Sequence, residues 1–288
     1  MSTDTVTTAP SRSHRVRVGL AVSAAVFLLA YLGGWFWALV PLALLLLGGN
    51  EMHAMMATIH IRPSRVIVMG FGLLMIVAAV LGKPHWLYSL LTLSIIASFF
   101  RLLFRTPRAS IADIGATLLV MFYVGYLPVH FILLRGLEGG LALTVMVLFT
   151  LSVSDVAAYY AGKQFGRHPL YPALSPKKTR EGALAGVVCG VAAALSLSGW
   201  APLPVHHTII LSILVVVVGQ LGDLTESLLK RDAGVKDSGQ LLAGHGGILD
   251  RTDSYIFSGA ASYYYIYWVV LHQGLAEDVM QIWQQWVG

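Results

Sequence analysis

The sequence predicts an all-α fold, a polytopic helical membrane protein of about nine transmembrane helices with its N-terminus in the cytoplasm. Three observations lead there. The composition is 57% hydrophobic and only 11% charged, with a mean hydropathy of +0.73. Most of the chain falls into apolar runs approaching ~20 residues, the length a helix needs to cross a hydrocarbon core of roughly 30 Å. The basic residues segregate into alternate loops, as cytoplasmic loops that retain Lys and Arg require.

Taken in order, the first span, 17–33, follows Arg12, Arg15 and Arg17. It reads as a retained signal anchor, because no small-x-small cleavage site follows and the second run, 34–50, begins almost at once. Arg62 and Arg65 precede the third span, 65–82, which "GKPH" joins to the fourth, 86–104. Arg101, Arg105 and Arg108 then lead into the fifth, 111–134, and a short turn into the sixth, 139–161. A loop holding Lys163, Arg167, Lys177, Lys178 and Arg180 precedes the seventh, 183–201. The eighth, 207–229, and ninth, 255–272, enclose Lys230, Arg231, Lys236 and Arg251. With the N-terminus inside, every Lys and Arg except Lys83 and Arg135 lies on the cytoplasmic side. The net charge of +5 therefore describes a membrane-facing surface, and no nucleic acid is expected as a partner. Cys189, the single cysteine, excludes intramolecular disulfides and C-x-x-C metal clusters, and reads as packing.

The chain divides into a cytoplasmic segment (1–16), a first group of membrane helices (17–150), a region where polar chemistry concentrates (151–272), and a tail (273–288). The tail, "AEDVMQIWQQWVG" at its end, reads as an amphipathic surface helix with Trp at headgroup level.

Acidic residues inside a membrane are expensive and ask for a reason. Asp155 and Tyr159 stand four apart near the end of the sixth span, on one helical face. Asp223, Ser227 and Lys230 follow i, i+4, i+7 spacing at the end of the eighth, with Glu226 close to that face. Asp250 and Asp253 open the ninth and share a face near a positive helix N-terminus if that helix starts near residue 250. Three helices thus bring carboxylates to one depth and one leaflet. Oxygen-only ligands in such a cluster suit Mg²⁺, and no paired His or Cys offers a zinc alternative. Ringed by Lys and Arg and by glycines at 244, 246 and 247, such a cluster points to phosphates as ligands. Singly, each residue has a plainer reading. Asp253 with Ser254 could cap a helix, and Lys230 and Arg231 could snorkel. His245 could be a loop histidine and Asp113 a helix-start or interhelix contact. Glu51 and His53 stay open between packing and function. Convergence on one face is what favours a site.

The stretch Ser227 to Asp253, "SLLKRDAGVKDSGQLLAGHGGILDRTD", resembles the signature of phosphatidate cytidylyltransferases, also called CDP-diacylglycerol synthases. Ser227, Lys230, Arg231, Lys236, Asp237, Gly239, His245, Gly246, Gly247, Asp250, Arg251 and Asp253 fall in register. The upstream phrase with Asp155, Tyr159, Gly162, Lys163, Phe165, Gly166, Ser175, Pro176, Lys178, Thr179, Glu181 and Gly182 is similar to the family as well. The front half matches only in hydropathy. Ala243 and Val156 depart from the pattern without removing a charge.

The resemblance implies transfer of the cytidylyl group of CTP to phosphatidic acid, giving CDP-diacylglycerol and pyrophosphate for phospholipid synthesis. It implies Mg²⁺ on Asp223, Asp250 and Asp253, and a catalytic set of Lys230, Arg231, Lys236, Asp237, His245 and Arg251. Substrate contacts would come from Asp155, Tyr159, Lys163, Ser175, Lys178, Thr179, Ser227, Gly246 and Gly247. With no eukaryotic targeting segment evident, a bacterial inner membrane is the expected address; the site is expected on the cytoplasmic side because CTP cannot cross, and the family suggests a homodimer. The alternatives are a CTP-dependent prenol kinase, which would transfer the γ-phosphoryl group to an alcohol, and an ion-coupled transporter, whose acids would more often lie at mid-membrane on broken helices.

Overall fold

In hydrocarbon a backbone must satisfy its own polar groups, so long apolar runs fold as helices. A computed structural model describes residues 12–104, 110–239 and 246–271, with 283, 284 and 286. Within them run α1 (Arg12–Leu32), α2 (Gly34–Thr58), α3 (Arg65–Val80) and α4 (Pro84–Phe104). Then come α5 (Ile111–Gly136), α6 (Gly140–Phe165), α7 (Arg180–Ser196) and α8 (Val205–Asp232). The last, α9 (Leu249–Tyr265), continues as a π-helical stretch, Ile266–Leu271. Helices therefore stand where the apolar runs predict them. Among the described residues, α2, α5, α6 and α8 are the 4 long and apolar enough to cross a membrane. Most of the tail expected to lie on the surface, and the basic residues Arg105 and Arg108, fall outside the described residues.

Two helices contain wide turns. In α2, Pro41 is followed by a π-helical turn, Leu44–Gly48, and in α5 a second one spans Met121–Tyr126. Such turns break the 3.6-residue period, so the faces before and after them do not line up simply. Among the described residues one element departs from all-helix: β1 (Pro169–Tyr171) and β2 (Ser175–Thr179) form an antiparallel hairpin with Pro169 opposite Thr179. Thr179 then caps α7, accepting a hydrogen bond from the Gly182 N–H at 3.2 Å. At the start of α5, Ser110 and Asp113 form a reciprocal capping box. Asp113 also accepts from the Arg62 N–H at 2.6 Å, so it both starts a helix and ties two loops.

Small residues set the closest helix pairs. Gly182, Gly186 and Gly190, four apart on α7, leave no room for a side chain against Ala158 and Ser154 of α6 and Val216 of α8. On α8, a Cβ at Gly222 would lie 2.7 Å from the Asp253 carbonyl of α9, so these two backbones nearly touch. The core is apolar and large-residue: Trp37, Met52, Met75, Met121 and Leu143 are fully buried. Trp37 donates its indole N–H to the Phe131 carbonyl at 2.9 Å.

The two ends of the bundle differ. At one end the Thr58 hydroxyl donates to the Ala233 carbonyl at 2.7 Å, joining the α2–α3 and α8–α9 loops. Lys178 of the hairpin pairs with Asp223 of α8 at the same end. At the other, Arg135 donates from Nε to the Ala30 carbonyl at 2.8 Å, which gives one of the two exceptional basic residues the role of closing the carboxyl end of α1.

The close approach of α8 and α9 is directly testable. Gly222→Ala should lower stability by about 1–3 kcal/mol, because the Asp253 backbone cannot yield as a flexible side chain would. Gly115→Ala, with open space around it, should be neutral or mildly stabilising, since alanine suits a helix better than glycine by up to ~1 kcal/mol. Thermal unfolding of both variants in detergent measures the difference.

Candidate active site

The end of α8, "GDLTESLLKR", turns Asp223, Glu226 and Lys230 toward α9, which runs antiparallel beside it. Asp253, one turn further along α9 than Asp250, lies beside the Asp223 carboxyl where α9 closes on Gly222 of α8. Its Oδ1 also accepts from the Ser254 N–H at 2.8 Å. The Ser254 hydroxyl donates to Asp155 Oδ2 at 3.3 Å, bringing α6 to the group. Lys178, carried in on β2, pairs with Asp223, both side chains being about one-third exposed. Three acids and one lysine thus meet where α6, α8, α9 and the hairpin converge.

A drier cluster lies one turn away. The Lys230 ammonium sits between Glu226, four residues before it, and Asp250, whose Oδ1 accepts at 2.6 Å. Glu226 is fully buried and Lys230 is 11% exposed, so the pairs hold one another out of water. The other oxygen of Asp250 accepts from the Gly247 N–H at 2.8 Å, the Ser238 N–H at 3.1 Å and the Ser238 hydroxyl at 3.1 Å. Beyond Ser238 stands Glu51 of α2. It accepts from the Ser238 hydroxyl at 2.8 Å and from the N–H groups of Ile248 and Leu249 at 2.8 and 3.1 Å. Those two amides open α9, where a helix leaves its N–H groups without internal partners and favours negative charge.

The glycines of this loop are shaped by carboxylates. Gly246 has φ +80°, and a Cβ there would lie 2.5 Å from Asp250 Oδ2. At Gly247 it would lie 2.3 Å from Glu51 Oε2. The room read from the sequence as space for a phosphate is, on this side of the loop, taken by acidic side chains.

The remaining sequence-derived residues distribute around the same end. Tyr159, Lys163, Arg231, Lys236, Asp237 and Arg251 are exposed, Ser175 is half-buried and Ser227 is buried. Arg231 Nη1 reaches the Val235 carbonyl at 3.3 Å across the turn after α8. The hydroxyl of Thr179, read as a substrate contact, is engaged in capping α7. His245 lies outside the described residues. Among the described residues no group of three or more His, Cys, Asp or Glu is disposed to hold a metal ion. The expected trio therefore separates: Asp223 and Asp253 meet, while Asp250 turns to Lys230, Ser238 and Gly247. An oxygen-only pair still fits Mg²⁺, which commonly takes one or two carboxylates and completes its shell with substrate phosphates and water.

Ser238 carries no signal in the sequence, Glu226 shows only its spacing, and Glu51 stands there open between packing and function. Its signal is an acid directly at the end of an apolar run, but its partner is 197 residues away.

A model of a family described as the cytidylyltransferase family matches residues 13–269. A phosphatidate cytidylyltransferase from Synechocystis is 37% identical over 280 residues, covering 86% of this chain and 93% of that protein. Phosphatidate cytidylyltransferase 5, chloroplastic, from Arabidopsis thaliana is 36% identical over 289 residues, covering 88% of this chain and 71% of its own length. A phosphatidate cytidylyltransferase from Bacillus subtilis is 40% identical over 148 residues, covering 50% of this chain and 55% of that protein.

Removing the cation of the dry cluster should be costly. Lys230→Met leaves Glu226 and Asp250 facing each other and should destabilise by about 3–5 kcal/mol, the usual penalty for stranding a buried charge. Adding Glu226→Gln should recover part of that loss, as read by thermal unfolding of the single and double variants.

Proposed function

The chain belongs to the cytidylyltransferase family, and on that premise we propose that it joins CTP to phosphatidic acid, releasing pyrophosphate and leaving CDP-diacylglycerol in the bilayer. One observation carries the reading: lysines and carboxylates from β2, α6, α8 and α9 gather at a single end of an apolar bundle. A water-soluble polyphosphate and a lipid phosphate can meet only at such a boundary. The relatives named for cytidylyl transfer favour this over γ-phosphoryl transfer to a prenol. We assign that end to the cytoplasmic face of a bacterial inner membrane, because the basic loops lie there and CTP does not cross a bilayer. The helices α1 to α9 then supply about nine crossings with the N-terminus inside.

The lipid phosphate is already anionic near neutral pH. One of its oxygens attacks the α-phosphorus of CTP, and the bond from that phosphorus to the bridging oxygen of the β-phosphate breaks. Pyrophosphate leaves with the electron pair. The demand on the protein is to hold two repelling polyanions in line and to neutralise the leaving group. Lys178, carried on its hairpin and paired with Asp223, would exchange that carboxylate for a phosphate oxygen when substrate arrives. Lys230 cannot swing away, since Glu226 and Asp250 fix its ammonium from two sides. Arg231, Lys236 and Arg251 are exposed at the rim and suit the pyrophosphate. Beside Asp155, the α6 face carries exposed Val156, Tyr159 and Tyr160, a surface along which acyl chains can lie while the headgroup reaches the acids. Asp223 and Asp253 would hold Mg²⁺, which when bound supplies positive charge to the phosphate oxygens. Asp250 has both oxygens engaged, and we assign it to positioning Lys230 and the loop that carries Ser238, Gly246 and Gly247.

Purified protein in detergent, given labelled CTP, phosphatidic acid and Mg²⁺, should yield labelled CDP-lipid and pyrophosphate. Chelation should stop the reaction and added Mg²⁺ restore it. Asp223→Asn and Asp253→Asn should each lower turnover by about 100-fold or more, the scale of losing an electrostatic stabiliser at a reacting centre. A phosphorylated alcohol as product, or Asn variants with near-normal rates, would overturn the reading.

A further inference from the structure

We propose that Glu51 of α2 is a positioning residue of the active site, acting through Ser238 and Asp250 to fix Lys230. The proposal deepens the cytidylyl-transfer reading and rests on it for the identity of the reaction.

Glu51 lies in the first group of helices, far in sequence from the polar loops, and is 8% exposed. A buried carboxylate needs several donors to offset its lost hydration. Among the described residues its donors come from the loop and the start of α9: Ser238, Ile248 and Leu249. The loop is also moulded to it. A Cβ at Gly239 would come within 2.8 Å of Glu51 Oε1, and one at Gly247 within 2.3 Å of Oε2. This is more than a helix cap, because Ser238 continues the chain of contacts. Its hydroxyl is shared between Glu51 Oε2 at 2.8 Å and Asp250 Oδ2 at 3.1 Å. Asp250 in turn accepts from Lys230 at 2.6 Å. Five side chains from α2, the loop, α9 and α8 (Glu51, Ser238, Asp250, Lys230 and Glu226) therefore form one continuous polar path.

Both oxygens of Glu51 are occupied by protein donors, so it touches neither phosphate nor metal. It acts by holding the entry of α9 in place. Gln at this position would present an amide donor where one of these N–H or O–H groups also donates, forcing the loop to shift. A displacement of about 1 Å at reacting groups can cost 100-fold in rate.

The experiment compares wild type, Glu51→Gln, Ser238→Ala and the double variant in detergent. It measures kcat and KM for CTP, thermal unfolding, and hydrogen exchange of peptides covering 246–252. Glu51→Gln should lower kcat by about 10- to 100-fold with a smaller change in KM, as expected when alignment and not uniform binding is lost. Ser238→Ala should lower kcat as well, with a modest drop in unfolding temperature from the lost buried hydrogen bond. The double variant should be no worse than the more severe single one, because residues on one path do not add. Exchange over 246–252 should quicken in Glu51→Gln. A normal kcat in either single variant, or additive losses, overturns the proposal; Ser238→Ala decides it even if Glu51→Gln does not fold. Should wild type make no CDP-lipid, the reaction assignment fails separately, and unchanged exchange in Glu51→Gln would overturn the positioning role on its own.

Discussion

A carboxylate withdrawn from water must be met by a cation or by several hydrogen-bond donors, or it costs several kcal/mol. That constraint organises the polar end of this bundle. Glu226 and Asp250 are met by one lysine, Asp223 by another, and Glu51 by a serine and the two amides at the start of α9. Each solution requires a second element to arrive at the right depth. Charge compensation thereby fixes which helices are neighbours, while the apolar core only requires that they pack.

The glycines serve the same constraint. Gly222 lets α9 approach α8 closely enough for Asp253 to reach Asp223, and Gly247 lets the loop close over Glu51. Neither works through flexibility. In both cases the absence of a side chain is what allows an oxygen to occupy the space. The hairpin does the complementary job of carrying a cation inward, since Lys178 reaches Asp223 only because β1 and β2 fold back before α7 begins.

Much of this was legible in the sequence. Apolar runs located the helices, and helical spacing put Asp223 and Lys230 on one side of α8. The start of α9 at Leu249 is what the paired acids at 250 and 253 needed. The gaps have physical causes. The π-helical turn at Leu44–Gly48 breaks the period just before Glu51, so no face could be read for that acid. Its partners lie on another helix, a fact that spacing along one chain does not contain. The separation of Asp250 from Asp223 and Asp253 was hidden for a related reason. Residues three apart share a helical face, yet on antiparallel helices they meet different turns of the neighbour. The hairpin escaped the sequence because three prolines and a pair of lysines resemble a plain loop.

The contact between Glu51 and α9 also bears on how the protein is made. Synthesis delivers Glu51 into the bilayer 197 residues before the Ile248 amide that answers it. Until α9 is made, the growing chain lacks the Ile248 and Leu249 amides that Glu51 meets in the folded protein. A late helix thus completes an early one, although the helices are laid down in a line.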